Sequence, residues 1–143
     1  MKKIAVSACL LGQNVRYDGT NKKNEKLLEK IKSLEVIPIC PEIASGFSIP
    51  HPPIEIKNNK VIDKELNDYS DKLIKGSKQC LEKIRGCDFV ILKTKSPSCG
   101  YKKIYDGDFH GNLVDGNGVF TNICLKNNIK VFTEEDLDII DFD

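Results

Sequence analysis

The sequence predicts an α/β fold of the Rossmann-like, three-layer type, with a mostly parallel sheet of about four strands. Short, wholly apolar runs alternate along the chain with amphipathic stretches of helical period. The runs have the length of buried parallel strands, and the segments between them are long enough for crossover helices. The chain has no internal repeat and no linker composition, so we expect residues 1–143 to form a single domain.

The N-terminal part of the chain supplies two strands and one helix to this scheme. Residues 2–8 form the first apolar run, and Asn24 stands where it would cap an amphipathic helix. Residues 36–39 have the composition of a buried strand, and Pro38 indicates that this strand is short or lies near an edge of the sheet. Four prolines and a glycine between residues 40 and 53 exclude a long regular element there, and loops of this length are often functional.

A small hairpin and the longest helix are predicted after this loop. Residues 54–61 contain an Asn-Asn pair that suits a tight turn. A helical pattern then runs from Asn67 or Asp68 to about Arg85, where a glycine ends it. The apolar residues 89–92 form the third strand.

The C-terminal part is predicted to hold a flap, a helix and the fourth strand. Residues 101–118 are rich in glycine, aspartate and aromatic residues without periodicity, which indicates an exposed loop or flap. A helix over about residues 118–127 leads into a strand at residues 130–132. Thr133 is then expected to cap a last short helix, because two glutamates follow it in the first turn.

Composition and charge limit the partners and the cellular compartment that we expect for this protein. The net charge is +1, so no strong basic field favours nucleic acid as a partner. No apolar run approaches the length of a membrane span, and the run after the charged N-terminus is too short for a signal peptide. We therefore expect a cytoplasmic protein without a membrane partner, whose six cysteines are reduced.

Three of these cysteines follow predicted strands. Cys9, Cys40 and Cys99 each stand at a predicted strand end, with a glycine or proline within the next three residues. Because ligands of open α/β sheets bind beyond the carboxyl ends of the strands, the site is expected there and the three thiols should meet in it. Three thiols in one place indicate a metal, with iron–sulfur as the natural candidate, and neighbouring N–H groups are expected to lower their pKa values. Burial as small apolar residues is the alternative for all three. It is the preferred interpretation for the other cysteines: Cys80, Cys87 and Cys124.

Polar residues near these strand ends are candidates for catalysis. A cubane cluster with three protein ligands leaves one iron open to a substrate. Glu42 follows Cys40 by two residues and offers a carboxylate for proton transfer, although a solvated loop carboxylate fits the position too. Ser96 and Ser98 precede Cys99, and either one orients a substrate or caps a turn.

Three further side chains are candidates for substrate binding. Ser7 lies beside Cys9 and offers a hydroxyl group. Arg16 suits an anion, but pairing with Asp18 would explain it equally well. His51 lies between prolines in the long loop, where a structural role is also open.

Four motifs together resemble the thiouracil desulfidase (TudS-type) family over nearly the whole chain. They are VSACLLGQNVRYDG at residues 6–19, CPEIASGFSIPHPPIEI at 40–56, KSPSCG at 95–100 and GNGVFTNICLKNNIKVFTEEDL at 116–137. The resemblance implies an oxygen-sensitive 4Fe–4S cluster on the three strand-end cysteines, so we expect protein prepared in air to lack it. It also implies that a thiolated pyrimidine such as thiouracil exchanges its sulfur for the oxygen of water without net redox chemistry. Glu42 then corresponds to the family's acidic residue, and Ser96 or Ser98 to its serine.

One loop departs from the family pattern, which is closer to Gly-Gly-Leu and Pro-Arg-Pro-Pro. Here the loop has Ser45-Gly46-Phe47 and Pro50-His51-Pro52-Pro53. If the family's arginine binds substrate, His51 changes which substrate fits. The chain has neither an added domain nor a basic patch, so a small thiolated base is preferred over RNA.

Two other functions stay open at this point. A non-enzymatic iron–sulfur or sulfur-carrier module would use the same three cysteines. A Rossmann-like small-molecule-binding protein is less favoured, because the segment after the first strand lacks GxGxxG.

Overall fold

A computed structural model describes residues 1–143, which form a parallel sheet between two helical layers with two small hairpins beside it. In chain order the elements are β1 (Lys3–Ser7), α1 (Glu25–Ile31), β2 (Glu35–Ile39), α2 (Pro41–Ala44), β3 (Glu55–Lys57), β4 (Lys60–Ile62), α3 (Ser70–Lys83), β5 (Phe89–Leu92), β6 (Lys103–Tyr105), β7 (Leu113–Asp115), α4 (Val119–Lys126) and β8 (Val131–Thr133). One 3₁₀ turn, Ala8–Leu11, follows β1 directly.

The main sheet has the strand order β2-β1-β5-β8, and all of its strands are parallel. Ile4 of β1 lies opposite Val36 of β2 and Phe89 of β5. Strand β2 lies at an edge, which confirms the position expected for Pro38. The chain leaves β1 toward β2 and later returns to β5 on the other side of β1. A crevice is therefore expected beyond the carboxyl ends of β1 and β5.

Helices cover both faces of this sheet, which confirms the three-layer α/β prediction. On one face Val90 and Leu92 of β5 share a buried cluster with Phe120 of α4 and with residues of α3. On the other face Ile4 and Ile91 are buried with residues of α1 and of the C-terminal segment. Strands buried on both faces are apolar throughout, which is why their sequences lack alternation. No helix has both the length and the apolar character that crossing a bilayer requires.

Several local predictions are confirmed by side-chain and backbone geometry. The Oδ1 of Asn24 accepts the N–H of Leu27 at 2.9 Å and so caps α1. Asn58 and Asn59 have φ angles of +51° and +63°, which asparagine tolerates and which a tight turn between β3 and β4 needs. The long proline-rich loop begins with the single-turn helix α2, whose first residue is Pro41.

The prediction for residues 101–118 is partly wrong, because this segment is not loop throughout. Strands β6 and β7 pair as an antiparallel hairpin within it. All three residues of β7 are exposed. A strand with no buried face needs no alternation of apolar and polar residues, so its sequence carries no strand signal.

The short helix expected after Thr133 does not form. Residues 134–139 contain turns and no helix. The carboxylate of Asp136 accepts the Thr133 N–H at 2.8 Å, and the carboxylate of Glu134 accepts the Thr94 N–H at 2.9 Å. These hydrogen bonds hold the backbone in turns and place Glu134 beside Thr94, just after β5. They therefore outweigh the tendency of Thr133 to begin a helix.

Close packing between α3 and α2 generates a first prediction. A Cβ built on Gly76 of α3 would lie 2.0 Å from Oγ and 2.4 Å from the backbone N of Ser45, just after α2. We expect Gly76→Ala to lower the free energy of unfolding by about 1–3 kcal/mol, because the added methyl group pushes the two segments apart. Denaturant unfolding followed by circular dichroism measures this change. Lys75→Ala, at an exposed position of the same helix, should change stability by less than about 0.5 kcal/mol. Equal effects of the two variants would argue against the close approach.

Candidate active site

A cavity of about 520 Å³ lies at the carboxyl edge of the sheet, where the strand order reverses. Its wall includes the segments that follow β1, β2 and β5, together with residues from both hairpins. All but one of the site residues predicted from the sequence line it: Ser7, Cys9, Arg16, Cys40, Glu42, Ser96, Ser98 and Cys99. His51 is the exception and lies outside the wall.

A different local structure positions each of the three thiols. Cys9 lies in the 3₁₀ turn after β1, which ends at Gly12 with φ of +96°. Cys40 is the residue just before α2 and Pro41 begins that helix. Cys99 lies in the loop after β5. The parallel sheet thus brings together residues that are far apart in sequence.

The N-terminus of α4 fixes the loop that carries Cys99. The N–H groups of Val119 and Phe120 donate to the carbonyls of Pro97 and Ser98, both at 2.9 Å. The hydroxyl of Thr121 donates to the Cys99 carbonyl at 2.8 Å. This approach requires a glycine before the helix, because a Cβ on residue 118 would lie 2.4 Å from the Ser98 carbonyl carbon.

The thiol pKa values differ from the prediction. Burial raises the pKa of Cys9, raises that of Cys40 to about 12, and raises that of Cys99 well above the ordinary value. The N–H groups of Ile43 and Glu42 act on Cys40 in the expected downward direction, but desolvation is the larger effect. Charge on Cys9 raises the pKa of Cys40, and charge on either thiol raises the pKa of Cys99, so the three thiols oppose one another's ionisation.

This donor set fits an iron–sulfur cluster better than a single metal ion. No three His, Cys, Asp or Glu side chains lie close enough together to hold one ion. A cubane cluster is bound through a different iron by each thiolate, so its ligands surround a volume and need not converge on one point. Iron would displace the protons that burial otherwise keeps on the thiols, as metal binding to cysteine generally requires.

The two candidate serines form different hydrogen bonds. The Oγ of Ser96 accepts the N–H of Cys99 at 2.7 Å, so this hydroxyl shapes the loop. The hydroxyl of Ser98 donates to Oε2 of Glu42 at 3.1 Å. The other oxygen of that carboxylate, Oε1, lies 3.3 Å from Nε2 of His51. Glu42 is therefore held from two sides at the cavity wall.

Ser7 and Arg16 both line the cavity, but their side chains differ in burial and in hydrogen bonding. The Oγ of Ser7 accepts the N–H of Lys93 at 2.9 Å, and the residue is buried. Arg16 forms no ion pair with Asp18, whose carboxylate instead accepts the N–H and hydroxyl of Thr20 at 3.1 and 2.5 Å. The guanidinium donates one hydrogen bond, to the hydroxyl of Thr20 at 3.4 Å, and lies 5.7 Å from the centroid of the Tyr17 ring, which leaves most of its donors available.

Lys93 was not among the predicted site residues. It lines the cavity, and its Nζ lies 3.1 Å from Oε2 of Glu134, with both side chains mostly buried. Burial raises the pKa of Cys9, and the charge of Lys93 offsets part of this rise. Lys93 directly follows β5. Its place at a strand end is therefore the sequence signal that predicts it at the cavity, as for the three cysteines.

The tip of the β6–β7 hairpin completes the cavity wall through Phe109 and Gly111. Oε1 of Glu55 accepts the N–H groups of Gly107 and Phe109 at 3.0 and 3.2 Å. These bonds tie the hairpin tip to β3. The part of the chain expected to be a flap therefore does lie at the site.

Fold and site together define an α/β protein with a three-thiol centre at the switch point of a parallel sheet. Comparison with known proteins identifies the class further. The family model described as 2-thiouracil desulfurase matches residues 4–136, and the chain belongs to this family. The family predicted from the four sequence motifs is thus confirmed.

Two relatives cover nearly the whole chain. The uncharacterized protein YbbK of Bacillus subtilis (strain 168) is 31% identical, over 96% of this chain and 99% of that protein. A solved structure described as the 4Fe–4S-dependent thiouracil desulfidase TudS is 37% identical and superposes with a TM-score of 0.88. That match covers 96% of this chain and 94% of the other, and it supports the fold described above.

The contrast between the two serines generates a second prediction. Ser96→Ala leaves the N–H of Cys99 without its acceptor, and we expect the free energy of unfolding to fall by about 1–3 kcal/mol. Ser98→Ala removes a bond between side chains only and should cost less. Denaturant unfolding of the metal-free chains measures both values. A larger loss for Ser98→Ala would reverse the assignment.

Proposed function

We propose that this chain is a 4Fe–4S-dependent desulfidase that removes sulfur from a small thiolated base such as thiouracil. The observation that carries the proposal is the meeting of three thiols, two buried and one half-buried, and a hydrogen-bonded carboxylate in one cavity. Membership of the 2-thiouracil desulfurase family supports the reaction class. The 37% identical solved structure, described as 4Fe–4S-dependent, supports the cofactor.

Cys9, Cys40 and Cys99 are the residues that would hold the cluster. A 4Fe–4S cluster held by these three thiolates would leave one iron without a protein ligand, and that iron would supply Lewis acidity for a substrate sulfur. The N–H groups of Ile43 and Glu42 stabilise the thiolate of Cys40. The hydroxyl group of Ser7 acts in the same direction on Cys99.

The reaction exchanges one atom and moves protons. A thiocarbonyl compound and water give a carbonyl compound and hydrogen sulfide: a carbon–oxygen bond forms, a carbon–sulfur bond breaks, and no electrons are gained or lost. Glu42 takes a proton from the attacking water and returns it to the departing sulfur, which is general acid–base catalysis by one group. Ser98 holds Oε2 of this carboxylate at 3.1 Å and so fixes its orientation.

The cavity suits a small flat substrate. Its volume of about 520 Å³ lies within the usual range for small-molecule sites. The rings of Tyr17, Tyr105 and Phe109 line it and offer apolar faces to a planar base. Arg16 adds N–H donors for the polar edge of such a base, and the ammonium of Lys93 lines the same wall.

A third prediction concerns the cluster itself. After anaerobic reconstitution, the protein should contain about four iron and four acid-labile sulfide per chain. Replacing Cys9, Cys40 and Cys99 together by serine should abolish both. Cys87→Ser is the matched control, because this half-buried thiol lies outside the cavity wall, and it should bind iron as the unaltered protein does. Full iron content in the triple variant would remove the basis of the proposal.

A fourth prediction concerns the carboxylate. Glu42→Gln should lower kcat for 2-thiouracil or 4-thiouracil by about 10²- to 10⁴-fold, the usual contribution of a general acid–base group. Its iron content should stay unchanged, because Glu42 is not a ligand. Hydrogen sulfide release and the loss of thiouracil absorbance measure turnover. Full kcat in this variant would contradict the role of Glu42, and a loaded but inactive unaltered protein would favour a sulfur carrier.

A further inference from the structure

His51 stands behind the reactive carboxylate and not in the cavity. Its side chain is only 6% exposed, and it is absent from the cavity wall. Between the imidazole and the cavity lies Glu42, with Oε1 toward Nε2 of His51 at 3.3 Å and Oε2 toward the hydroxyl of Ser98 at 3.1 Å. In this position His51 contacts Glu42 and does not line the cavity.

The two ring nitrogens of His51 face two acceptors. Nδ1 lies 2.8 Å from the carbonyl oxygen of Pro52, which only accepts hydrogen bonds, so Nδ1 carries a proton. Nε2 faces a carboxylate oxygen of Glu42, whose other oxygen already accepts from Ser98. An imidazolium donating from both nitrogens satisfies every one of these groups.

The electrostatic surroundings of His51 favour this protonation state. The hydrogen bond to Glu42 of α2 raises the pKa of His51, and the carbonyl of Pro52 adds to the rise. Burial and the charge of Lys72 on α3 act in the opposite direction and are outweighed. The pair therefore stabilises the fold fully below pH 6.5, the ordinary histidine value, and this contribution is lost as pH rises through the raised value.

Packing holds the imidazole ring in this orientation. The ring of Phe47 lies 4.7 Å away between centroids with an interplanar angle of 34°, and that of Tyr17 lies 6.2 Å away. The backbone N–H of His51 donates to the Tyr17 carbonyl at 2.8 Å. A ring fixed on three sides is a preorganised donor, and preorganisation is what a group aimed at a catalytic carboxylate requires.

We propose that His51 is a positioning residue that donates from Nε2 to Glu42 as an imidazolium and holds its carboxylate toward the cavity. This inference rests on the proposed function, because it takes Glu42 as the group that carries the proton. It replaces the direct contact with substrate that the sequence suggested for His51. Glu42 then has a cation on one oxygen and a neutral donor on the other, so its geometry is set before substrate enters.

A nuclear magnetic resonance experiment tests the protonation state. The chain has two histidines, and His110 is exposed and outside the cavity wall, so His110→Gln leaves His51 as the only imidazole. In the full chain with ¹⁵N-labelled histidine, with and without cluster, we expect both ring nitrogens to be protonated at pH 6.5. The midpoint of the His51 titration should fall when Glu42→Gln is added. A neutral ring whose titration does not respond to Glu42→Gln would overturn the inference.

A kinetic series provides the fifth prediction and separates positioning from a merely structural role. His51→Phe keeps a ring against Phe47 but removes both donors, and kcat should fall by about 10- to 100-fold with KM nearly unchanged. His51→Arg restores a cation with N–H donors and should recover most of this loss. Iron content should stay constant throughout, and His110→Gln should behave as the unaltered protein.

The outcomes distinguish this inference from the proposed function. If Glu42→Gln is inactive while His51→Phe retains full kcat, only the positioning role of His51 fails. A raised KM with unchanged kcat in His51→Phe would point to substrate binding and would also overturn it. If Glu42→Gln itself is fully active, the proposed role of the carboxylate fails first.

Discussion

Desolvation of three neighbouring thiols is the constraint on which the rest of this structure depends. Cys9 and Cys99 are buried and Cys40 is half-buried at one edge of a parallel sheet, where thiolate charges repel one another and lose their hydration. Positive charge must therefore enter when they ionise, and an iron–sulfur cluster supplies it. The protein adds smaller contributions in the same direction from Lys93 and from backbone N–H groups.

Two glycines allow helices to pack closely against the segments that carry two of these thiols. Gly76 lets α3 approach the segment just after α2, and Gly118 lets α4 approach the loop that carries Cys99. In both places a Cβ would meet backbone atoms, which cannot move aside as a flexible side chain can. The helices on one face of the sheet therefore act as supports for two of the three thiols, although neither helix contains one of them.

The sequence was sufficient for the sheet, the crossover helices and the three thiols of the cavity wall. Parallel strands buried on both faces leave apolar runs, and a residue just after such a run has a predictable place at the carboxyl edge. No sequence pattern predicted that His51 contacts Glu42. The path of the proline-rich loop brings the two residues together, and that path does not follow from their spacing in the sequence. The direction of the thiol pKa shifts likewise depends on burial, which only tertiary packing decides. The last helix was predicted wrongly because Glu134 bonds to Thr94, a partner remote in sequence.

The three thiols belong to three separate strand-to-helix connections, and this has a consequence for biosynthesis. A short motif such as CxxC gathers its ligands locally, so it can capture metal on an incomplete chain. Here the third ligand arrives only after β5 has joined the sheet beside β1. A complete set of three ligands is therefore presented only by a chain whose β1, β2 and β5 share one sheet.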